Sequence, residues 1–159
     1  MPQCTLDTDF GSLVLKETDG VIVRLSWGHG REQGKKDQDS PLLREAAKQL
    51  RAYQGGRLRR FDVPLAPAGT DFQRKVWQEM CAIPYGRTKS YGDLAGHLGS
   101  VARAVGGACG LNPIPIIIPC HRVVAGNGTL GGFSGGEGLS TKRALLIHEG
   151  ALQEQPSLL

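Results

Sequence analysis

The sequence predicts an α+β chain in two consecutive units, and three observations carry that expectation. Residues up to about 66 alternate like strands and then form one amphipathic helix, the texture turns helical from about 67 onward, and "APAGT" between them sets Pro and Gly at a boundary. At 159 residues the chain can hold one ordinary domain or two small ones sharing a core.

Ser12 to Trp27, "SLVLKETDGVIVRLSW", reads as two short strands around an Asp19-Gly20 turn, because both central positions of such a hairpin must accept positive φ. Gly28 to Ser40 is polar and charged and is expected as an exposed loop. Ser40-Pro41 then offers an N-cap with proline at the first helical position, and Leu42, Leu43, Ala46, Ala47, Leu50 and Tyr53 recur on one face until Gly55-Gly56 stops the helix. Phe61, Val63 and Leu65 alternate as a returning strand would.

In the second unit Thr70 and Gln73 form a capping box ahead of a stripe of Phe72, Val76, Trp77 and Met80. Ser90 with Asp93 opens a short helix that Gly99 closes, and Ser100 is expected to open another through "VARAVGGACG", giving a helix-turn-helix pattern. The apolar run before Cys120 reads as a buried strand, and the glycine-rich "AGNGTLGGFSGGEG" as a loop needing positive φ or close backbone approach. A last helix, capped by Ser140, runs to about Glu149, and the tail beyond Gly150 is expected to fray.

Composition narrows the classes of function. The formal charge of +4, from 19 Lys+Arg against 15 Asp+Glu, suits a polyanionic partner without requiring one. The four cysteines contain no CxxC pair, which argues against a zinc ribbon or a disulfide framework and for a reducing compartment. The opening residues lack a signal-peptide pattern and no window has membrane-span length, so a soluble, cytoplasmic protein is expected, nucleoid-associated if prokaryotic.

The chemistry concentrates in "IPIIIPCHRV", where Cys120, His121 and Arg122 follow an apolar run. Cys120 is either a small thiol that packs or a nucleophile beside its own base, since an imidazole within reach can generate the reactive thiolate. A base needs an orienting partner on its second nitrogen, and Glu149 is the candidate carboxylate. A negative side chain at the end of a helix is disfavoured by the dipole, which hints at a tertiary partner there.

"PCHRV", preceded by "RAVGGACGLNPIPIII" and followed by "GGFSGG" and "LLIHEG", resembles the O6-alkylguanine-DNA alkyltransferases, the methylated-DNA–protein-cysteine methyltransferase family. The likeness is close from about Asp71 to Gly150, including "IPYGRTKSYGDLA", and looser before that. It implies an RNase H-like α/β domain at 1–66, a winged-helix-like DNA-binding and alkyl-acceptor domain at 67–150, and a flexible tail at 151–159. It implies stoichiometric, self-inactivating transfer of an alkyl group from O6-alkylguanine in double-stranded DNA to Cys120, the base being flipped through the minor groove.

By the same resemblance His121 would be the water-linked base and Glu149 the carboxylate orienting it. Asn112 would lie at the hinge between the helices, Tyr91 would rotate the 3′ phosphate and bond the flipped base, and Arg103 would intercalate. Backbone groups of Cys120, Val123 and Ser134 would line the base pocket. No cofactor is implied, and a monomer is expected, with cooperative assembly on DNA left open.

Two departures stand out. Phe133 replaces a tyrosine common among relatives, and "GGEGLS" is about two residues longer than in some of them. Some relatives hold a structural zinc through two cysteines and two histidines. Here Cys4 and His29 could supply one of each, but Arg24 and the lack of another histidine before His97 leave the set incomplete, so no metal is expected. His29, His97 and His148 are expected as ordinary surface or core residues. The alternatives are a DNA-binding module or damage sensor without chemistry, and a cysteine hydrolase.

Overall fold

The computed structural model describes residues 2–28, 40–127 and 129–153. His29, most of the polar segment after Gly28 and the last six residues therefore lie outside the described residues. Three antiparallel strands open the fold, β1 (Gln3–Thr8), β2 (Gly11–Thr18) and β3 (Val21–Trp27), in that spatial order. The β2–β3 hairpin turns at Asp19 and Gly20, both at positive φ as the Asp-Gly pair predicts. Strand β1 was not anticipated: polar Gln3, Thr5, Asp7 and Thr8 dilute its alternation, yet Leu6 is buried.

Helix α1 (Pro41–Gln54) packs across this sheet with Leu43, Ala46, Ala47, Leu50 and Tyr53 on its inner face. Ser40 caps it, accepting from the Leu43 amide at 3.0 Å and donating to Glu17. After the helix the chain returns to the sheet at a single point. The Ile22 amide donates to Pro64 and the Ala66 amide to Ile22, but the expected strand over Phe61–Leu65 is reduced to an isolated Ile22–Leu65 bridge. The alternation is present; Pro64 and Pro67 remove the amides that would extend it.

Helix α2 (Asp71–Cys81) begins at the Thr70–Gln73 capping box, with both reciprocal bonds formed. Its buried Trp77 donates from Nε1 to Ala108 at 2.9 Å, which pins α2 against α4 (Ala102–Gly110). Between them, β4 (Lys89–Ser90) leads into α3 (Tyr91–Leu98), whose capping box uses Ser90 and Asp93. Gly99 ends α3 in the left-handed conformation.

Ser100 does not open the next helix as expected. Its amide donates to Ala95 and so closes α3, and Val101 takes the N-cap of α4 without a side-chain bond. Strand β5 (Val123–Val124) pairs in parallel with β4, and α5 (Leu139–His148) completes the order. Helix α5 starts earlier than Ser140: the Gly138 carbonyl accepts from Thr141 and Lys142, and Gly138 itself stands at positive φ.

The buried core is continuous, running from Leu13, Leu15 and Leu25 of the sheet through Trp77 and Met80 to Ile114, Ile118 and Leu145. No helix among the described residues is long and apolar enough to cross a membrane. Replacing Thr70 by Ala removes one bond of a reciprocal pair at the start of α2; unfolding in urea should show a loss of about 1 kcal/mol.

Candidate active site

Cys120 is positioned by an irregular segment rather than by a strand. The apolar run is buried as expected, but Pro113, Pro115 and Pro119 withhold amides, and Ile116 sits at φ 73°. That conformation is unfavourable for a β-branched side chain and is held here by burial on all sides. Asn112 braces the segment at both ends, accepting from the Ile114 amide at 3.0 Å and donating to the Ile118 carbonyl at 2.8 Å. The Leu25 amide of β3 donates to Pro113 at 3.0 Å, tying the run to the sheet. The chain then makes one 3-10 turn, Cys120–Arg122.

That turn sends the three side chains to different places. Cys120, 8 % exposed, opens onto a cavity of about 890 Å³, and burial pushes its thiol up, an effect that an Asn112 hydrogen bond and the nearby Lys142 charge reduce. His121 is fully buried, with Nε2 2.8 Å from Glu149 Oε2. Arg122 grips the same carboxylate with both arms of its fork, Nε to Oε1 at 2.8 Å and Nη2 to Oε2 at 3.0 Å, and donates from Nη1 to the Ile83 carbonyl at 2.8 Å. From α1, the Tyr53 hydroxyl donates to Glu149 Oε2 at 2.7 Å.

These contacts settle protonation. Burial alone would raise Glu149, but hydrogen bonds from His121 and Arg122, with the Arg122 charge, outweigh it and bring the carboxyl down to about 2. An ionised carboxylate only accepts, so the His121 proton sits on Nε2 and Nδ1 is left as an acceptor. Burial pulls His121 down despite Glu149, which keeps the ring neutral. Nδ1 is buried and has no hydrogen-bond partner among the described residues. A neutral imidazole with one orienting partner and one free basic nitrogen, next in sequence to a protonated thiol, can take up that thiol's proton.

The cavity draws its walls from both halves of the chain. Arg24 to Trp27 of β3 form one side, Tyr91, Cys109 and Asn112 another, and Phe133, Ser134 and Gly135 a third. The Trp27 indole meets the Phe133 ring edge-on, centroids 6.1 Å apart, and donates from Nε1 to Phe10 at 2.8 Å. Gly135 must be glycine here, because a Cβ would stand 2.4 Å from the indole. Gly131 is under the same constraint from Tyr91, at 2.8 Å, and has φ 76°.

Lys142 holds this loop from behind. It is wholly buried, and its ammonium donates to Val123 at 2.7 Å, Gly132 at 3.2 Å and the Tyr91 hydroxyl at 3.4 Å. Burial pulls Lys142 down and raises Tyr91 to about 12, so the phenol stays protonated.

Cys120, Tyr91, Asn112 and Ser134 thus meet around one cavity. His121 and Glu149 stand behind its wall, and Val123 is buried, with its carbonyl engaged by Lys142. Arg103 lies apart, exposed in the first turn of α4 beside Ala102, Ala104 and Gly107. His97 is exposed, 3.6 Å from Glu79, and His148 bonds the Tyr53 carbonyl at 2.7 Å. No group of three or more metal-binding side chains occurs among the described residues.

Sequence reasoning missed Lys142, Tyr53 and Trp27. Lys142 could have been found, since it shares a helical face with Leu145 and Leu146, an odd place for a charge. Nothing local marks Tyr53 or Trp27, whose roles depend on tertiary neighbours.

Fold and site define an α+β protein in which a buried thiol, backed by a histidine and a carboxylate, opens onto a cavity beside a helix pair. The family model for the 6-O-methylguanine DNA methyltransferase DNA binding domain matches residues 71–151. A methylated-DNA–protein-cysteine methyltransferase of Mycobacterium tuberculosis is 43% identical over 147 residues, 89% of this chain and 88% of that one. One from Methanosarcina acetivorans is 48% identical over 116 residues, 72% and 73% of the two chains. The crystal structure of Mycobacterium tuberculosis OGT in complex with DNA superposes with a TM-score of 0.83 at 43% identity, covering 95% of this chain and 94% of that one. The chain belongs to the methylated-DNA–protein-cysteine methyltransferase family.

The depressed Glu149 carboxyl predicts a pH signature. Ionisation of Glu149 favours the folded state above the carboxyl's ordinary value of 4.5, and this contribution fades as pH falls toward about 2. Urea unfolding of wild type and Glu149→Gln should show wild type more stable at neutral pH, with the gap closing steadily under acid.

Proposed function

We propose that the protein repairs DNA by direct reversal, moving the alkyl group of O6-alkylguanine onto Cys120 once per molecule. One observation carries the mechanism: the Cys120 thiol faces a cavity while the adjoining His121 is locked by Glu149 in the tautomer that can accept a proton. His121 Nδ1 takes the thiol proton through a bridging water. The thiolate attacks the alkyl carbon, the S–C bond forms, and the C–O bond electrons pass to guanine, which takes a proton as it leaves.

The lesion must leave the duplex to reach the sulfur, at a cost of a few kcal/mol that is smaller for a poorly paired base. On this proposal residues 67–150 hold DNA in a winged-helix-like arrangement, residues 1–66 brace them in an RNase H-like one, and α4 lies in the minor groove. The small exposed residues around Arg103 suit that close approach, and Arg103 fills the space of the extruded base. Tyr91, protonated and anchored through Lys142, turns the 3′ phosphate and donates to the flipped base. Asn112 sits at the hinge between the helices and bonds the Cys120 thiol, and backbone groups of Cys120, Val123 and Ser134 line the base pocket.

The product is a thioether, with no carbonyl for water and no easy leaving group, so the protein is consumed. Intact mass and peptide mapping after mixing with excess duplex carrying one O6-methylguanine should find one methyl on Cys120, guanine restored and no further turnover. Tight binding with unmodified Cys120 would instead identify a damage sensor. Arg103→Ala should slow reaction with duplex DNA at least about tenfold more than reaction with free O6-benzylguanine; equal losses would remove Arg103 from base extrusion.

A further inference from the structure

We propose that Tyr53, on the N-terminal helix α1, is a positioning residue for alkyl transfer: by bonding the Glu149 oxygen that also holds His121, its hydroxyl sets how readily His121 takes the Cys120 proton. The inference rests on the alkyl-transfer reading and extends the site into a part of the chain outside residues 71–151, the span matched by the family model.

Tyr53 is 1 % exposed and its ring is lodged among Phe10, Phe61, Tyr85 and His148, an aromatic setting that phenylalanine would satisfy equally. Nor is the hydroxyl what keeps both Glu149 oxygens from being left unpaired, since Arg122 and His121 already supply three N–H donors across them. What the hydroxyl changes is the charge on Oε2, where Tyr53 at 2.7 Å, His121 at 2.8 Å and Arg122 at 3.0 Å converge. Each donor draws electron density from that oxygen and weakens the hold it can offer a protonated imidazole.

The other groups acting on His121 are Arg122 in its own turn and Lys142 from α5, both of which oppose its protonation; Cys120 adjoins it in the chain. Tyr85, from the loop before β4, stands near Arg122, with the guanidinium 5.8 Å from its ring centre. Burial and the Glu149 charge push the Tyr53 phenol far up, so it remains a donor throughout. Without its hydroxyl, Oε2 carries more charge, His121 becomes more basic, and a larger fraction is already protonated in mild acid, where it cannot act as the base.

The test is the pH dependence of single-turnover alkylation of Cys120 by free O6-benzylguanine, in full-length wild type and Tyr53→Phe, alongside NMR titration of the labelled His121 imidazole. In the variant the acid limb should move to higher pH, raising the ratio of rates at pH 8 and pH 6 by about threefold or more. The His121 titration should move the same way. A purely structural role would lower the rate by one factor at every pH and leave that titration in place, which would overturn the proposal. Should Tyr53→Phe fail to fold, 3-fluorotyrosine at position 53 keeps the ring and strengthens the donor, and must move limb and titration to lower pH; no movement overturns the proposal. If wild type is not alkylated at all, the alkyl-transfer reading falls, while the His121 titration still reports whether Tyr53 acts on the imidazole.

Discussion

The structure depends on one buried carboxylate. Glu149 ends α5, where the helix dipole disfavours negative charge, and its side chain is withdrawn from water. It is tolerable there because the Arg122 fork, the His121 ring and the Tyr53 hydroxyl all donate to it. Those donors come from two separate stretches of chain, α1 and the Cys120 turn, so a single charge pulls both into register with the end of α5. Arg122 passes the constraint on through its bond to the Ile83 carbonyl, which anchors the loop leading to β4. Removing the carboxylate would leave a guanidinium buried without its counter-ion, a heavier penalty than the lost attraction alone.

A second buried charge plays the complementary part. Lys142 enters the protein from the first turn of α5, at the opposite end of the helix from Glu149, and finds oxygen acceptors on Val123, Gly132 and Tyr91. Together the two charges bracket the reactive turn: Glu149 fixes the imidazole behind the wall, while Lys142 fixes the glycine loop and the tyrosine in front of it. The N-terminal sheet closes the arrangement, with Trp27 against Phe133 and Leu25 bonded to Pro113. The site is therefore shared between the two ends of the chain even though its nucleophile and base are adjacent in sequence.

Local signals in the sequence were reliable where the physics is local. The Asp19-Gly20 turn, the Ser40 cap and the two capping boxes at Thr70 and Ser90 all depend on residues within four positions of one another. The strand expected before Cys120 failed because apolar content carried more weight in that expectation than three prolines. The start of α5 shifted for a similar reason, since Ser140 is a good cap by type but Gly138 supplies the carbonyl that the helix uses. The Cys120, His121 and Glu149 grouping was legible because "PCHRV" and "HEG" carry it, whereas the Tyr53 to Glu149 contact spans 96 positions and leaves no periodic trace.

The two-residue strands β4 and β5 add little hydrogen bonding, yet they join the end of the Cys120 turn to the residue that caps α3. The helix pair and the sulfur are thereby tied together through the backbone. On the proposed reading, a duplex seated against α4 meets the thiol at a fixed reach, and a nucleotide is tested by how far it will swing out rather than by the pattern of its edges. A protein built this way would inspect DNA mechanically: intact pairs fall short of the sulfur, and a weakened pair identifies itself by arriving.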